Sequence, residues 1–260
     1  MADLGNFLQN PVEKIRKSLP RFLAKDISPL PEGRYVSICF DDFPKSAAIR
    51  AKHELDRRDW KATWYAVGSQ MGTEHPGFGP MYDAEDLQAL VRDGHEVGCH
   101  TYSHIDCRQV DNGAILEDVQ ENIAFFANQG LPPARSFAFP FGSVDVSSKR
   151  LLMSHMPVLR GVRPGLHQGM VDRGLLMATG IEDYNGGTRL ALQQLEQLKR
   201  ESGWLVIFTH DVREQPGPWG CSPEDFVSLL DAVDEAGAEV VTVADMFDRI
   251  AGKQAASSIR

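Results

Sequence analysis

The sequence predicts an α/β fold of parallel βα units, either closed into a barrel or wound as an open sheet. Apolar, β-branched runs of strand length alternate along the chain with segments of helical periodicity. No internal repeat or linker divides the chain, so a single domain is expected. Polar residues follow the ends of several strands, which is where α/β barrels build their active sites; they are Asp41-Asp42, His100, Pro140 and His210.

The elements of the first half are read from these patterns in chain order. An apolar run stops abruptly at two aspartates, and Gly94 follows a helical segment whose Leu87 and Leu90 point inward. The stretch 68–80 is rich in Gly and Pro and is expected to be a long surface loop. The expected strands are 36–42, 61–67 and 95–99, and the expected helices are 45–60 and 83–93.

The second half continues the alternation. Gly130 closes a long helix, and Pro140 breaks the strand that follows it. The run 204–209 is the most apolar strand of the chain and ends at His210. The expected strands are 136–139, 158–162, 175–179, 204–209 and 239–243, and the expected helices are 112–129, 148–154, 188–200, 223–236 and 244–250.

These boundaries divide the chain into an N-terminal extension (1–33), one domain that contains the candidate site residues (34–251) and a frayed tail (252–260). The extension carries weak helical spacing over 11–19. It has no apolar segment of signal-peptide length, so a cytoplasmic location is expected. No apolar run is long enough to span a bilayer, and membrane insertion is therefore not expected.

Composition and charge narrow the class of partner. The 260 residues are 42% hydrophobic and 24% charged, with a formal net charge of −9, which is typical of a globular protein with a sizeable core. The negative charge argues against nucleic acid or an anionic membrane surface as the main partner. The four cysteines form no CxxC pair and are expected to be free thiols. The oligomeric state is left open.

Two short stretches carry the strongest chemical signal. The first is the Asp41-Asp42 pair at the end of the first strand, and the second is the pair His100 and His104, four residues apart after the third strand. A carboxylate oxygen and two imidazole nitrogens form a ligand set for zinc or a similar divalent metal. Adjacent aspartates also serve as turn residues, and an isolated histidine pair is often structural. We expect the two stretches to meet in space as a catalytic metal site.

The order of these motifs resembles the polysaccharide deacetylases, the NodB-homology group classed as carbohydrate esterase family 4. The resemblance extends from about residue 34 to residue 250. The motifs that carry it are Phe40-Asp41-Asp42, Gly94-His95-Glu96-Val97-Gly98 with His100-Thr101-Tyr102-Ser103-His104, Pro140-Phe141-Gly142, and Phe208-Thr209-His210.

This resemblance implies a deformed (β/α) barrel of NodB type with fewer than eight strands, and removal of acetyl groups from N- or O-acetylated sugars. It also implies one divalent metal ion, with zinc expected and cobalt, nickel or manganese as alternatives. By the same resemblance, Asp42, His100 and His104 bind the metal. Asp41 is the general base, His210 is the general acid, and the backbone N–H of Phe141 helps to bind the oxyanion. Asp211 is expected either to orient His210 or to cap the following turn.

Two positions depart from the family pattern. Phe43 replaces the usual Gly and is expected to place a ring beside the base. Ala138 replaces an arginine that ordinarily pairs with the catalytic aspartate. An arginine from elsewhere is therefore expected to orient Asp41. Arg163 is the candidate because it follows the predicted strand 158–162, whereas Arg135 precedes its own strand.

Three functions remain open at this point. The first is a metal-dependent deacetylase whose partner is an acetylated carbohydrate, in the form of a sugar, polysaccharide or glycolipid. The second is hydrolysis of a small non-sugar amide on the same fold. The third is a non-catalytic, glycan-binding pseudo-enzyme, which the departures at Phe43 and Ala138 motivate.

Overall fold

The computed structural model describes residues 18–182 and 186–257. Among these residues there are three 3-10 helices, at Leu19–Arg21, Gly68–Gln70 and Pro140–Gly142. The α-helices are α1 (Lys45–Asp56), α2 (Ala84–Arg92), α3 (Asn112–Asn128), α4 (Val146–Met153), α5 (Arg189–Leu198), α6 (Pro223–Glu235) and α7 (Val243–Ser257). The strands are β1 (Ile27–Pro29), β2 (Arg34–Asp41), β3 (Thr63–Ala66), β4 (Glu74–His75), β5 (Gly79–Pro80), β6 (Glu96–Cys99), β7 (Ser136–Ala138), β8 (Val158–Arg160), β9 (Leu166–His167), β10 (Met170–Asp172), β11 (Thr179–Gly180), β12 (Gly203–Thr209), β13 (Asp211–Val212), β14 (Gly220–Cys221) and β15 (Glu239–Val240).

A curled parallel sheet forms the centre of the fold. Its main path is β11-β12-β2-β3-β6-β7-β8, and every pair along this path is parallel. A bridge between Arg160 and Leu176 brings the β8 edge beside the segment that leads into β11. Because the two edges of the path approach each other, the sheet is a deformed barrel. The predicted deformed (β/α) barrel is confirmed, with seven strands along its main path. Off this path, β15 pairs parallel with β2 and β9 pairs antiparallel with β12.

The two faces of the sheet bury different sets of side chains. On β2, Val36, Ile38 and Phe40 pack with the surrounding helices in the largest hydrophobic cluster. Tyr35 and Cys39 point to the barrel interior and belong to a second cluster. Successive residues of a strand face opposite sides, so Asp41 continues the interior face. Burial on both faces explains why the strand reads as a nearly continuous apolar run.

Several expected boundaries differ from the structure. The loop expected at 68–80 contains a 3-10 helix and the two-stranded β4–β5 hairpin. β8 ends at Arg160, two residues before the expected end. The last helix continues to Ser257, beyond the point at which the tail is expected to fray. Among the described residues, no helix combines the length and apolarity that a membrane span requires.

The described part of the N-terminal extension packs against the domain. The weak helix expected over 11–19 lies outside the described residues as far as residue 17. β1 pairs antiparallel with β10, so Ile27 lies opposite Asp172. The fully buried ammonium of Lys149 donates a hydrogen bond to the Pro20 carbonyl at 2.9 Å. Residues 20–29 are thereby held against α4 and β10.

Candidate active site

The carboxyl ends of three sheet strands bring the predicted site residues together. Asp41 is the last residue of β2, His100 follows β6, and His210 follows β12. Parallel strands end at the same edge of a sheet, so these side chains converge there. They line a cavity of about 750 Å³, together with Asp42, His104 and Phe141.

Asp42, His100 and His104 place three potential ligand atoms close together. The Nε2 atom of His104 lies 2.9 Å from Asp42 Oδ2, and the Nε2 atom of His100 lies 3.8 Å from Asp42 Oδ1. One ligand atom from each residue lies within 4.8 Å of the others. Within residues 18–182 and 186–257, no other group of three His, Cys, Asp or Glu side chains has this geometry.

The protonation states of these side chains fit a cation. The Nδ1 atom of His100 lies 2.8 Å from the Ala138 carbonyl oxygen; because that oxygen only accepts, Nδ1 is the protonated nitrogen and Nε2 keeps its lone pair. Burial lowers the pKa of His100 to about 4, so the ring is neutral near pH 7. Burial alone would raise the pKa of Asp42, but His100, His104 and His210 together outweigh this effect and hold that pKa at about 2.

Asp42 also leaves one oxygen available. Its Oδ1 atom is buried and accepts no hydrogen bond from the described residues. A buried polar atom without a partner costs free energy unless a ligand or ion satisfies it. The donor set of one carboxylate and two imidazoles therefore fits a divalent metal with further positions open to water and substrate.

Backbone strain is concentrated around this group. Of the six described non-glycine residues with positive φ, four lie here: Asp42 (43°), Thr101 (63°), His104 (54°) and Phe141 (58°). Such conformations cost of the order of 1–3 kcal/mol each and persist where the surroundings impose them. Asp118 on α3 helps to impose the turn that carries His104, since its Oδ1 atom accepts from the amides of Tyr102 at 2.6 Å and Ser103 at 3.0 Å.

The guanidinium that orients Asp41 belongs to Arg160, and the prediction of Arg163 was wrong. Arg160 Nη2 donates to Asp41 Oδ2 at 2.5 Å, and both side chains are buried. The sequence prediction assumed that the strand runs to residue 162, which would place Arg163 at the catalytic edge. Because β8 ends at Arg160, it is Arg160 that emerges at that edge. Among the described contacts, Arg163 makes no ion pair with Asp41.

Ala138 and Arg160 are direct neighbours on the adjacent strands β7 and β8. They are paired residues in the register of β7 and β8, so their side chains lie on the same face. The small side chain of Ala138 leaves room for the guanidinium, which lies 4.9 Å from the Tyr65 ring centroid and 5.0 Å from that of Phe208. Aromatic faces stabilise a buried guanidinium. Burial would lower the pKa of Arg160, but the Asp41 carboxylate outweighs it and the pKa is raised.

A buried carboxylate, Glu182, contacts His210. The Nδ1 atom of His210 lies 3.5 Å from Glu182 Oε1. Burial would lower the pKa of His210, but Glu182 and then the charges of Asp41 and Asp42 outweigh it, and the pKa is raised. The ring therefore stays protonated to higher pH than an ordinary histidine. Sequence reasoning missed Glu182, although it follows β11 in the same way that the other site residues follow their strands.

Asp211 makes other contacts. Its Oδ1 atom accepts from Ser46 Oγ at 2.6 Å, and its Oδ2 atom lies 2.7 Å from Arg213 Nε. Of the two expectations for this residue, orientation of His210 is therefore not what the structure shows. Asp211 instead links the end of β12 to Ser46 of α1 and to Arg213.

Aromatic side chains form the walls of the cavity. Phe78 stacks on His210 with ring centroids 5.7 Å apart, and Trp219 lies across the same ring at 6.2 Å. Phe141 is 68% exposed and packs edge-on against His104 at 4.4 Å. Its amide belongs to the first turn of a 3-10 helix, where backbone N–H groups lack helical partners.

Phe43 does not place its ring in the cavity beside the base, contrary to the sequence prediction. Its side chain is fully buried and stacks on Tyr82 with centroids 4.4 Å apart, with Trp64 edge-on at 5.0 Å. The ring therefore points into the hydrophobic core behind Asp42. The phenylalanine at this position fills the core and does not line the cavity.

Comparison with known proteins agrees with this geometry. The model of the polysaccharide deacetylase family matches residues 30–156. A bifunctional xylanase/deacetylase from Pseudobutyrivibrio xylanivorans is 19% identical over 83% of this chain, and chitin deacetylase 2 from Saccharomyces cerevisiae is 26% identical over 42% of it. The chain covers 31% of the length of each of these two relatives.

The fold is shared with a solved deacetylase. The chitin deacetylase from the fungal pathogen Colletotrichum lindemuthianum superposes with a TM-score of 0.59 at 17% sequence identity, covering 84% of this chain and 89% of the other. At this identity the likeness concerns the fold, which is the deformed NodB-type barrel. The family match includes the segment with the aspartate and histidine pairs. The predicted resemblance to the polysaccharide deacetylases is thus confirmed over residues 30–156.

Proposed function

We propose that the protein is a metal-dependent hydrolase that removes an acetyl group from an N- or O-acetylated sugar. One observation carries the proposal: an Asp-His-His group, an arginine-held aspartate and a histidine of raised pKa line the same cavity. Each corresponds to a role that acyl hydrolysis requires. The relatives named as xylanase/deacetylase and chitin deacetylase support the class of substrate.

Asp42, His100 and His104 are proposed to hold one divalent cation, zinc first. When bound, such a cation polarises the acyl carbonyl and lowers the pKa of a nearby water molecule. The neutral Nε2 atoms of the histidines and the ionised Asp42 supply the lone pairs. The hydrogen bond from His100 Nδ1 to the Ala138 carbonyl fixes the ring in the orientation for binding.

The remaining residues divide the proton transfers. Asp41 accepts the proton of the attacking water at Oδ1, which has no partner among the described residues, while Arg160 holds Oδ2. His210 donates a proton to the departing amine or alkoxide. The amide of Phe141 faces the oxygen on which negative charge develops.

The structure bears on the non-catalytic alternative. That hypothesis rests on the missing arginine at Ala138 and on the ring at Phe43. Arg160 supplies a guanidinium to Asp41, and Phe43 is buried in the core. Both motives for a pseudo-enzyme are thereby removed, and turnover is the function that the site supports best.

Acetate release tests the proposal directly. The protein is dialysed against a chelator, reloaded separately with zinc, cobalt, nickel or manganese, and incubated with chitin oligosaccharides, acetylated xylan, peptidoglycan fragments and small non-sugar amides. We expect acetate from at least one acetylated sugar with at least one metal. If product is released only from the non-sugar amides, the protein is a hydrolase of small non-sugar amides and not a sugar deacetylase. No hydrolysis by any metal-loaded form would refute the proposal.

Metal content tests the ligand set. His100→Ala is expected to reduce bound metal from about one equivalent per chain to a small fraction, because three protein ligands are the usual minimum for a catalytic site. Elemental analysis after dialysis measures this, independently of activity. His155→Ala is the control, since His155 is exposed and outside the cavity. Equal metal in the wild type and in His100→Ala would contradict the assignment.

The pH dependence tests the pair His210 and Glu182. A general acid works while protonated, so the rate falls as pH rises through its pKa, which Glu182 raises. Glu182→Gln removes the negative charge, so the pKa of His210 falls and the basic limb of the pH–rate profile moves to lower pH. Glu196→Gln, at an exposed glutamate outside the cavity, serves as control. If the basic limb of Glu182→Gln stays at the pH of the wild type, Glu182 is not the cause of the raised pKa of His210.

A further inference from the structure

A second cavity, of about 600 Å³, adjoins the catalytic cavity. Gly142, Val162 and Pro164 line both, so a wall of these residues separates the two spaces. Gly142 has φ +60°, and a Cβ atom there would lie 2.1 Å from Val162 Cγ2. The wall therefore requires glycine at this position, because any larger side chain would collide with Val162. Because the same three residues line both cavities, a ligand long enough to reach across them would occupy both.

The second cavity is lined by three cations. Arg21, Lys25 and Arg163 contribute to it, and we call it the basic cavity. Among the described contacts, none of the three forms an ion pair with a carboxylate. The pKa of Arg163 is lowered by partial burial and by the charge of Arg21, so the two guanidinium groups repel each other. In a chain with a net charge of −9, such a cluster produces a local positive potential.

The acidic residue of the basic cavity does not neutralise this cluster. Asp172 is paired through Oδ2 with the Lys149 ammonium at 2.8 Å. Its Oδ1 atom accepts from the amides of Asp26 and Gly174, each at 3.0 Å. His167 also lines the cavity, and burial lowers its pKa to about 4, so it is neutral near pH 7. The excess positive charge therefore stays with the three cations.

The segment that carries Arg21 and Lys25 is anchored by buried groups. Lys149 is fully buried and donates to the Pro20 carbonyl at 2.9 Å, on the residue before Arg21. The guanidinium of Arg173 holds Asp26 at 2.7 Å, on the residue after Lys25. Burying an ammonium is costly unless it is fully paired, and here its pairing fixes the position of the two cations.

We infer that the basic cavity binds an anionic group, a phosphate or a carboxylate, of the same molecule whose acetyl group lies in the catalytic cavity. This rests on the proposed function and narrows it: the substrate is an acetylated sugar that carries negative charge rather than a neutral polymer. Guanidinium groups match the planar or tetrahedral oxygen arrangement of these anions and bind them through charge-assisted hydrogen bonds. An anion also relieves the repulsion between Arg21 and Arg163.

Direct binding tests the inference without turnover. The Asp41→Asn variant of the 260-residue chain, loaded with zinc, is titrated calorimetrically with N-acetylglucosamine, its 1-phosphate, its 6-phosphate and N-acetylmuramic acid. We expect at least one charged sugar to bind roughly tenfold more tightly than N-acetylglucosamine. Introduced one at a time into the Asp41→Asn variant, Arg163→Gln and Arg21→Gln are each expected to remove most of the preference for the charged sugar. Arg50→Gln, at an exposed arginine of α1 that lines neither cavity, is expected to keep it.

The outcomes separate this inference from the proposed function. The inference is overturned if no charged sugar binds more tightly than the neutral one, or if the preference persists in both arginine variants. Charge-dependent binding without acetate release by the wild type would retain the anion site and refute deacetylation. Equal kcat/KM of the wild type on neutral and charged acetylated sugars would retain deacetylation and refute the anion site. The phosphorylated sugars and N-acetylmuramic acid together distinguish phosphate from carboxylate as the group bound.

Discussion

Asp41→Asn is expected to lower kcat by roughly 10²–10⁴-fold while the metal content stays near that of the wild type. The substitution removes the carboxylate that accepts a proton but keeps the shape of the side chain. Asn still offers a carbonyl oxygen to the Arg160 guanidinium, which now donates to Asp41 Oδ2 at 2.5 Å. The neighbouring Asp42 keeps its contacts with His100 and His104, so the metal ligands are unchanged.

The measurement is kcat on whichever acetylated sugar the wild type hydrolyses, paired with elemental analysis of the same preparation. Asp59→Asn is the matched control: Asp59 is an aspartate with its side chain 94% exposed, and it lies outside the cavity. Its rate is expected to equal that of the wild type. A normal kcat for Asp41→Asn would remove Asp41 from the role of base. A loss of metal in that variant would show that Asp41 supports the ligand set instead.

Much of the site could be read from the sequence because it lies where local patterns are informative. The apolar run of β2 ends at Asp41, and the runs of β6 and β12 end just before His100 and His210. A strand buried on both faces has a clear hydrophobic signature, and its last residue marks the catalytic edge of a parallel sheet. The structure accordingly brings Asp41, His100 and His210 into one cavity.

The partners of these residues depend on register between strands, which a single sequence does not reveal. Arg160 lies beside Ala138 only because β7 and β8 pair as they do. The sequence predicted that β8 ends at residue 162, which would place Arg163 at the catalytic edge. Because the strand ends at Arg160, that edge carries Arg160 instead. Glu182 likewise reaches His210 from β11 through parallel pairing of β11 with β12. Pairings of this kind are set by tertiary packing rather than by local periodicity.

The N-terminal extension shows the same limit over a longer distance. β1 pairs with β10, so Ile27 lies opposite Asp172, far along the chain. Nothing in residues 18–33 marks this partner, and a single lysine inside an amphipathic helix reads as a solvated residue. Lys149 is instead fully buried and holds the Pro20 carbonyl. The basic cavity was for this reason not predicted from the sequence.

Arg160→Met is expected to destabilise the protein by about 3–5 kcal/mol, since it leaves the Asp41 carboxylate buried without its partner. The guanidinium is completely buried between the rings of Tyr65 and Phe208. A second consequence concerns the reaction: the Asp41 carboxylate loses the hydrogen bond that holds its Oδ2 atom. Asp41 is then no longer fixed in the orientation that proton transfer needs, and kcat/KM on a neutral acetylated sugar should fall.

Three companion variants make this prediction decisive even where Arg160→Met folds poorly. Arg160→Lys keeps the positive charge and should retain part of the activity and most of the stability, although it cannot reproduce the fork of the guanidinium. Adding Asp41→Asn to Arg160→Met removes the unpaired charge and should restore part of the lost free energy of unfolding. Arg163→Met, the alternative that the sequence suggested, should leave stability and activity on the neutral sugar unchanged. If Arg163→Met lowers kcat/KM on the neutral sugar and Arg160→Lys does not differ from Arg160→Met, the assignment of Arg160 as the positioning residue fails.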